Sequence, residues 1–419
     1  MSIICGSDLS AASAGALEVA VALAKQRGDT EVLLVHVVDP ELGVESAREH
    51  ALEQMQVHLE QHAAAYQAGP VTVRTQLVVG PGAETLVGLV ETEHSDLVVI
   101  AARSKSTTVG RLGTTTAQII ARSMVPVIVV RDPAPWLAFT RGERPLRLMI
   151  GIDDSAVCDL GIQWTHLLRQ AGQVDVVLGA IYYPDDASAN YGLERRTMVD
   201  RDPEIEQLMT RDLIRRFGDV QNVVARPRLG LGRIGDHMVE LAREENVDAI
   251  LVGTGQKTGL GRLGSVSSVI VNDASQSVVC VPPQAQIKTQ FVPVMKTVVV
   301  ATDLSPFANR AVAYAFAIAE PDADVHIVHV IKDDTSDHGE LSHQLSALAP
   351  PNTKQRLTPH VIHGDDAADT IARCAARLGG DVICIASHGR SGLSRALVGS
   401  VADRLLRATR LPVLVLRPA

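Results

Sequence analysis

The sequence repeats one pattern of strand, acidic turn and helix three times, and this repetition constrains the fold more than any other feature. In each copy a short aliphatic strand ends in an aspartate, and a serine follows two residues later: Asp8 and Ser10, Asp153 and Ser155, Asp303 and Ser305. Serine is favoured at the N-cap of a helix, and Pro306 stands where proline is favoured at the first helical position. Each copy therefore begins with a strand that leads directly into a helix.

Further aliphatic strands alternate with predicted helices in every copy. The second strand covers residues 32–38, 174–181 and 325–331, and the last covers 126–130, 277–281 and 412–416. The fourth strand follows an aspartate in each copy: Asp96, Asp248 and Asp381. Because only 3% of the residues are aromatic, the cores must consist of Val, Ile, Leu and Ala, which is typical of parallel strands buried on both faces. The pattern predicts three tandem α/β domains, Rossmann-like or flavodoxin-like, each with a doubly wound five-stranded parallel sheet.

Two proline-rich segments separate the copies, and we expect the domains to span residues 1–132, 146–283 and 296–419. Neither linker, at residues 132–145 and 282–290, has the pattern of a helix or strand, since X-Pro steps disfavour helix continuation. The middle copy has an insertion at residues 183–218 that is dense in Asp, Glu and Arg. Its composition predicts a solvated helix.

The charge balance and the N-terminal residues exclude several classes of protein. The formal charge of -9 opposes binding to nucleic acid, whose phosphates need a basic surface. An acidic residue stands at Asp8 and no apolar run approaches 18 residues, so we expect neither a signal peptide nor a membrane span. These features predict a cytoplasmic protein. The five scattered cysteines have no metal-ligand or redox spacing and are expected to be buried thiols.

The segment after the fourth strand of the third copy carries the one motif that suggests binding chemistry. Residues 386–402 read ASHGRSGLSRALVGSVA, in which Gly389 is separated by nine residues from Gly399 and Ser400. This resembles the loop G-x2-G-x9-G-[ST] of the universal stress protein family, with Ala386 in place of its first glycine. Together with Asp303 after the first strand, the resemblance extends over the whole third copy.

The resemblance implies a regulatory protein that binds an adenine nucleotide, ATP or a related one, with or without Mg²⁺. It assigns the site to the following residues of this chain: Asp303, Val330, Ala386, Gly389, Arg390, Gly399, Ser400 and Val401. Independently of the resemblance, ligands of open α/β sheets lie beyond the carboxyl ends of the strands at the topological switch point. A helix that starts at Gly399 would offer its N–H groups and positive dipole end to a phosphate. The alternative is that the loop only connects a strand to a helix.

The first two copies depart from this motif. The loops that precede Gly113 and Gly264 are shorter than the corresponding loop of the third copy, so we expect both copies to be degenerate domains. His36 and His329 lie in the aliphatic second strands and are predicted to be core or rim histidines rather than catalytic bases. The sequence shows no candidate general base, so catalytic turnover is disfavoured and ATP hydrolysis would be weak at most.

Two functions therefore remain open. The first is a nucleotide-binding stress-response regulator that acts on an unknown regulatory protein partner, and the second is a scaffold of degenerate domains that binds no nucleotide. Assembly follows from the number of copies, because the resemblance implies that domains pair through their terminal strands. Two terminal strands can pair within the chain and the third is left with an open edge. We therefore expect a homodimer, formed through residues 412–416 of the third copy. The alternative is a monomer in which linker or insertion residues cover this edge.

Overall fold

A computed structural model describes most of the chain, which separates into two compact units. The described residues are 2–39, 45–67, 69–102, 113–153, 155–194, 200–218, 221–255, 265–287, 294–332, 337–387, 399–409 and 411–417. The first unit consists of Met1–Ile181 and Asp219–Phe291, and the second of Tyr182–Gly218 and Val292–Ala419. None of the helices in these described stretches is long and apolar enough to cross a membrane.

The first repeat alternates strands with helices as predicted. Helix α1 begins after Ser10, whose side chain accepts a hydrogen bond from Ser13 N, and it ends at Gly28 in the left-handed conformation with φ +75°. The elements are β1 (Ile3–Gly6), α1 (Ala11–Arg27), β2 (Glu31–Val38), α2 (Glu45–Ala64), β3 (Thr72–Val79), α3 (Gly82–Thr92), β4 (Leu97–Ala101), α4 (Thr114–Arg122) and β5 (Val127–Val130).

The second repeat follows the same order with two additions. A short helix precedes its first strand, and two helices replace the usual connection between its second and third strands. The elements are α5 (Ala134–Thr140), β6 (Leu146–Gly151), α6 (Ala156–Ala171), β7 (Val174–Tyr182), α7 (Pro184–Tyr191), α8 (Pro203–Phe217), β8 (Val223–Leu229), α9 (Ile234–Glu244), β9 (Ala249–Gly253), α10 (Ser265–Asp273) and β10 (Ser277–Val281).

The third repeat has the plain alternation of the first. Its elements are β11 (Thr297–Ala301), α11 (Pro306–Ile318), β12 (Asp324–Ile331), α12 (His338–Ser346), β13 (Arg356–His363), α13 (Ala367–Leu378), β14 (Val382–Ala386), α14 (Ser400–Ala408) and β15 (Val413–Leu416). Two aliphatic cores, one on each face of the sheet, pack the strands against α11 and α12 and against α13 and α14. This double covering explains the continuous aliphatic runs of the strands.

Each repeat arranges its strands in the order third, second, first, fourth, fifth. In the described residues of the second unit the order is β13-β12-β11-β14-β15, and all registered pairs are parallel. In the first unit the two sheets merge into one ten-stranded sheet, because β5 and β10 pair antiparallel, with Val278 opposite Val129. The predicted doubly wound parallel sheets are confirmed, and so is the pairing of two terminal strands within the chain.

The first linker is ordered, so the prediction that it has no regular structure is wrong. Helix α5 lies within it and packs against α1, and its Trp136 and Phe139 side chains are completely buried. Pro133 and Pro135 do not prevent this helix, since both stand at its start, where a missing N–H costs nothing. Trp136 and Phe139 are two of the few aromatic residues of the chain. Their large rings bury more apolar area in this short helix than aliphatic side chains would.

The insertion of the middle repeat is not the solvated helix that its composition predicts. It forms two helices, and the second, α8, buries Ile205, Leu213 and Phe217. These three residues are eight and four positions apart, a spacing that places them on one helical face. The charged residues occupy the other faces of the helix. Because they outnumber the apolar residues, the composition alone does not indicate the apolar stripe. By its contacts, the insertion belongs to the second unit.

We expect Trp136→Ala to destabilise the first unit by about 3–5 kcal/mol, because it leaves a cavity where α5 packs against α1. Native-state hydrogen exchange of the β1 and β6 amides measures this loss. Leu231→Ala, at an exposed residue of the same unit, should change the free energy of opening by less than about 0.5 kcal/mol. An equal cost for both variants would contradict the structural role of the linker helix.

Candidate functional site

The turn that follows β11 holds Asp303 in a fixed conformation. Ser305 N donates a hydrogen bond to Asp303 Oδ1 over 3.0 Å, and Ser305 Oγ accepts one from Ala308 N over 3.2 Å. Between them Leu304 adopts a left-handed conformation with φ +63°, which is uncommon for a residue with a side chain. The acidic turn and the N-cap of α11 are therefore a single hydrogen-bonded unit.

Two further side chains support this turn from neighbouring positions. Thr302 Oγ1 accepts a hydrogen bond from Leu304 N over 3.0 Å and donates one to Asn309 Oδ1 over 2.7 Å. From β12, His329 Nδ1 donates to the Thr302 carbonyl oxygen over 2.8 Å. Since its ring holds a backbone carbonyl, His329 has a structural role at the rim of the sheet, as predicted.

The first repeat has the same turn with the same support. His36 Nδ1 lies 2.7 Å from the carbonyl oxygen of Ser7, Ser10 N donates to Asp8 Oδ1 over 3.1 Å, and Leu9 has a φ of +62°. His36 therefore also has the rim role that the sequence predicts. The turn recurs in the first repeat without a matching glycine-rich loop. This indicates that the turn primarily stabilises the connection between the first strand and the first helix.

The middle repeat replaces part of this arrangement. Ser155 N still donates to the aspartate, Asp153 Oδ1, over 2.8 Å, but the thiol of Cys158 now donates to the same oxygen over 3.0 Å. The register of β6 and β7, together with the bond from Ile152 N to the Gly179 carbonyl, places Ala180 where the other repeats have a histidine. The middle repeat thus lacks the imidazole that anchors the turn elsewhere.

The start of α14 lies directly beside the end of β14. Gly399 N donates to the carbonyl oxygen of Ser387 over 2.6 Å, which connects the first residue after β14 to the N-cap of the helix. Gly399 has a φ of −59° and a ψ of 152°, and no side chain caps the helix there. Ser400 is exposed and Val401 half-buried in the first turn. The first amides of α14 therefore face the carboxyl end of the sheet without acceptors within the helix.

Strand pairing brings most of the predicted site residues to one edge. Ala301 of β11 is paired with Ile385 of β14, so Asp303 and Ala386 follow at the ends of adjacent strands. This is the point where the strand order reverses, and the start of α14 lies there as well. Val330 is half-buried near the end of β12, the strand on the other side of β11. Gly389 and Arg390 lie outside the described residues.

Sequence reasoning missed three residues that build this edge. Thr302 and Asn309 hold the acidic turn, and the buried Ser387 connects β14 both to Gly399 and, through its N–H, to the Leu416 carbonyl over 2.8 Å. A hydroxyl residue stands immediately before the aspartate in the first and third copies, at Ser7 and Thr302. This recurrence could have identified Thr302. Ser387 has a counterpart in the middle copy, where the buried Thr254 follows β9 and its N–H donates to the Val281 carbonyl over 2.9 Å.

Neither a metal centre nor a reactive thiol is formed by the residues that the structure describes. In that part of the chain no three His, Cys, Asp or Glu side chains are grouped so that they could hold a metal ion. All five cysteines are free, and four are buried as predicted, while Cys374 is half-buried. Burial raises the pKa of Cys5 to about 12, and that of Cys280 to the same value, so these thiols stay protonated.

The third repeat also exposes surfaces that are buried in the other two. Strands β5 and β10 are completely buried, whereas β15 is only half-buried and its Leu414 is exposed. On α11, Tyr314 is 47% exposed and Ile318 38%, although the residues equally distant from the N-cap in α1, Val19 and Leu23, are 0% and 2% exposed. An apolar helix face and an open strand edge therefore remain in the third repeat.

Comparison with known proteins assigns all three copies to one family. The profile of the Universal stress protein family matches residues 1–131, 146–282 and 295–417. A universal stress protein of Mycobacterium tuberculosis is 30% identical over 199 residues, which are 43% of this chain and 64% of the relative. Universal stress protein G of Escherichia coli O157:H7 is 29% identical over 142 residues, which are 29% of this chain and 99% of the relative. The chain thus spans 64% of the length of the mycobacterial relative.

Solved structures share the fold. A universal stress protein from Archaeoglobus fulgidus DSM 4304 superposes with a TM-score of 0.50 at 15% identity. The superposition covers 67% of this chain and 98% of the archaeal chain. At this level of identity the comparison concerns the architecture of the sheets and helices alone.

We expect Thr302→Val to loosen the acidic turn of the third repeat, because it removes the acceptor of the Leu304 amide and leaves Asn309 without its hydroxyl donor. Hydrogen exchange of the amides at 303–305 should accelerate at least about tenfold, since a single hydrogen bond contributes about 1 kcal/mol and the variant loses two. Thr358→Val makes the same change at an exposed position of β13 and should leave these amides unaffected. Equal exchange in the two variants would show that Thr302 does not hold the turn.

Proposed function

The chain belongs to the universal stress protein family, and on that premise we propose that it is a stress-response regulator that binds an adenine nucleotide, ATP or a related one, in its third repeat. The observation that carries the proposal is the position of the Asp303 turn and the start of α14 at the same switch point. Binding needs no turnover, and the nucleotide would act by favouring one conformation or assembly of the protein. We place this activity in the cytoplasm, where the protein would act on a regulatory protein partner.

The geometry supports a division of the site into a nucleoside part and a phosphate part. Because Gly399 N is already bonded to Ser387, the amides of Ser400 and Val401 and the Ser400 hydroxyl would hold the phosphates. The positive end of the α14 dipole adds to this attraction, with or without Mg²⁺ on the phosphates. At the other end, the carboxylate of Asp303 would accept from a donor group of the nucleoside and the Val330 side chain would contact its base.

Gly389 and Arg390 complete the proposed loop. A glycine at position 389 lets the backbone approach the nucleotide closely, and the guanidinium of Arg390 suits a phosphate. Ala386 adds one methyl group at the end of β14, where the family motif has glycine. The alternative function is a scaffold of degenerate domains that binds no nucleotide, and this substitution favours it. ATP titration separates the two, since the scaffold would take up no ligand.

We expect Gly399→Val to weaken ATP binding about tenfold to a hundredfold, because the side chain closes the phosphate position at the start of α14. Isothermal titration calorimetry of the full chain measures the change. Gly113→Val is a matched control, since Gly113 is the N-cap of α4 and has the same φ of −59° as Gly399. It should leave the affinity unchanged. Unaltered ATP affinity in Gly399→Val would refute the assignment to this loop.

We also propose that the protein is a homodimer in which the β15 edges of two chains pair. The pairing of β5 with β10 supports this, because it shows how terminal strands of these repeats cover one another. The exposed β15 and the apolar α11 face with Tyr314 and Ile318 are the surfaces that such a partner would bury. A second copy of the same repeat presents the same surfaces and forms a closed twofold contact.

We expect Leu414→Asp to separate this dimer, since it places a charge on an exposed position of β15 without disturbing the buried core. Light scattering should give twice the chain mass of 44.7 kDa for the native protein and 44.7 kDa for the variant. Leu231→Asp, at an exposed residue of the middle repeat, should leave the dimer intact. A native mass of 44.7 kDa at all concentrations would exclude the dimer.

A further inference from the structure

An aspartate at the start of the fourth strand is paired with an arginine in the first two repeats. Arg27 Nη2 donates to both carboxylate oxygens of Asp96, over 2.7 and 2.8 Å. Arg144 donates from Nη1 to Asp248 Oδ2 over 2.7 Å and from Nη2 to Asp248 Oδ1 over 2.8 Å. Arg27 lies at the end of α1 in the same repeat as Asp96, and Arg144 lies in the linker just before β6. The pair ties the start of the fourth strand to the neighbouring element.

The third repeat has the aspartate but lacks an arginine of its own at either place. Residues 314–323 at the end of α11 and residues 284–296 before β11 contain no arginine. The side chain of Asp381 is nevertheless only 8% exposed, and it accepts hydrogen bonds from Lys296 N over 2.8 Å and Thr297 N over 2.7 Å. Burial raises the pKa of Asp381, and a cationic partner favours its charged form.

The cationic partner comes from α8, in the insertion of the middle repeat. Arg215 Nε lies 3.0 Å from Asp381 Oδ1, and its Nη1 also donates to the Gly379 carbonyl. One turn earlier, Arg211 donates to the carbonyl oxygens of Arg377 over 2.7 Å and Ala376 over 2.6 Å. These carbonyls end α13, where acceptors lack helical partners and the dipole is negative. Two arginines therefore cap α13 and neutralise the aspartate that starts β14.

Side chains within the insertion hold both arginines in place. Asp212 accepts from Arg211 Nε over 2.9 Å and lies 3.2 Å from Arg215 Nη2. The hydroxyl of Tyr191 on α7 in turn donates to Asp212 Oδ2 over 3.0 Å. Ordered donors of this kind lose little side-chain entropy when they bind their acceptors, so the insertion presents a preformed cationic surface.

We propose that helices α7 and α8 of the middle repeat are a strap for the third repeat, which docks on the α13–β14 junction and supplies the arginine that Arg27 and Arg144 provide for the first two repeats. The docking is specific because one arginine side chain bonds two kinds of acceptor at once. These acceptors are a buried carboxylate and the backbone carbonyls at the end of a helix. The apolar stripe of α8 keeps the strap folded, while its charged surface makes this contact. The folding unit of the third repeat then includes residues that belong to the middle repeat in the sequence.

Hydrogen exchange of the full chain tests the strap. In Arg215→Ala, exchange of the amides at 367–386 should accelerate at least about tenfold, because Asp381 loses its cation and α13 loses a cap. Arg201→Ala is the matched control in the same segment, since it removes a salt bridge to Glu206 at an exposed arginine. It should leave residues 367–386 unchanged. Unchanged exchange of these residues in Arg215→Ala would overturn the proposal.

A further variant separates the contact from a general loss of folding. Arg215→Lys keeps the charge but replaces the two nitrogens that reach Asp381 and the Gly379 carbonyl by one, so its exchange should lie between those of the native chain and Arg215→Ala. Exchange in Arg215→Lys as fast as in Arg215→Ala would show that the charge of residue 215 does not stabilise this region.

Discussion

The antiparallel pairing of β5 with β10 determines how the three repeats are organised. A terminal strand of a parallel sheet has one row of backbone groups without partners, and two repeats satisfy these groups by joining their sheets. The joined strands are then buried on both faces, and the helix α5 covers α1 with Trp136. An odd number of repeats cannot all be satisfied in this way, which leaves β15 half-buried in its own unit.

The strand order determines where a ligand could bind. Because β11 has β12 on one side and β14 on the other, the connections leave the sheet in opposite directions and open a crevice after Ala301 and Ile385. The acidic turn occupies this crevice in the third repeat and in the first, held by His329 and His36 respectively. The turn is therefore shared by the first and third repeats, and a difference in ligand binding between these two would arise from the loop after the fourth strand.

Features fixed by local sequence could be predicted, whereas those fixed by distant contacts could not. The strands and the N-caps at Ser10 and Ser305 depend on nearby residues, and they were identified correctly. The linker helix α5 packs against α1, which lies far away in the sequence, so the residues of the linker alone do not indicate that helix. Likewise, nothing near Arg215 in the sequence indicates that its acceptor is Asp381.

The strap has a consequence for synthesis of the chain on the ribosome. Arg211 and the carbonyl it caps at Arg377 are 166 positions apart. At a translation rate of about 5–20 residues per second, the strap emerges roughly 10–30 seconds before its acceptor. During this interval its arginines face water and the acceptor helix does not yet exist. The strap is thus already synthesised when the last repeat emerges. This order favours docking within the same nascent chain over docking on the strap of a neighbouring chain.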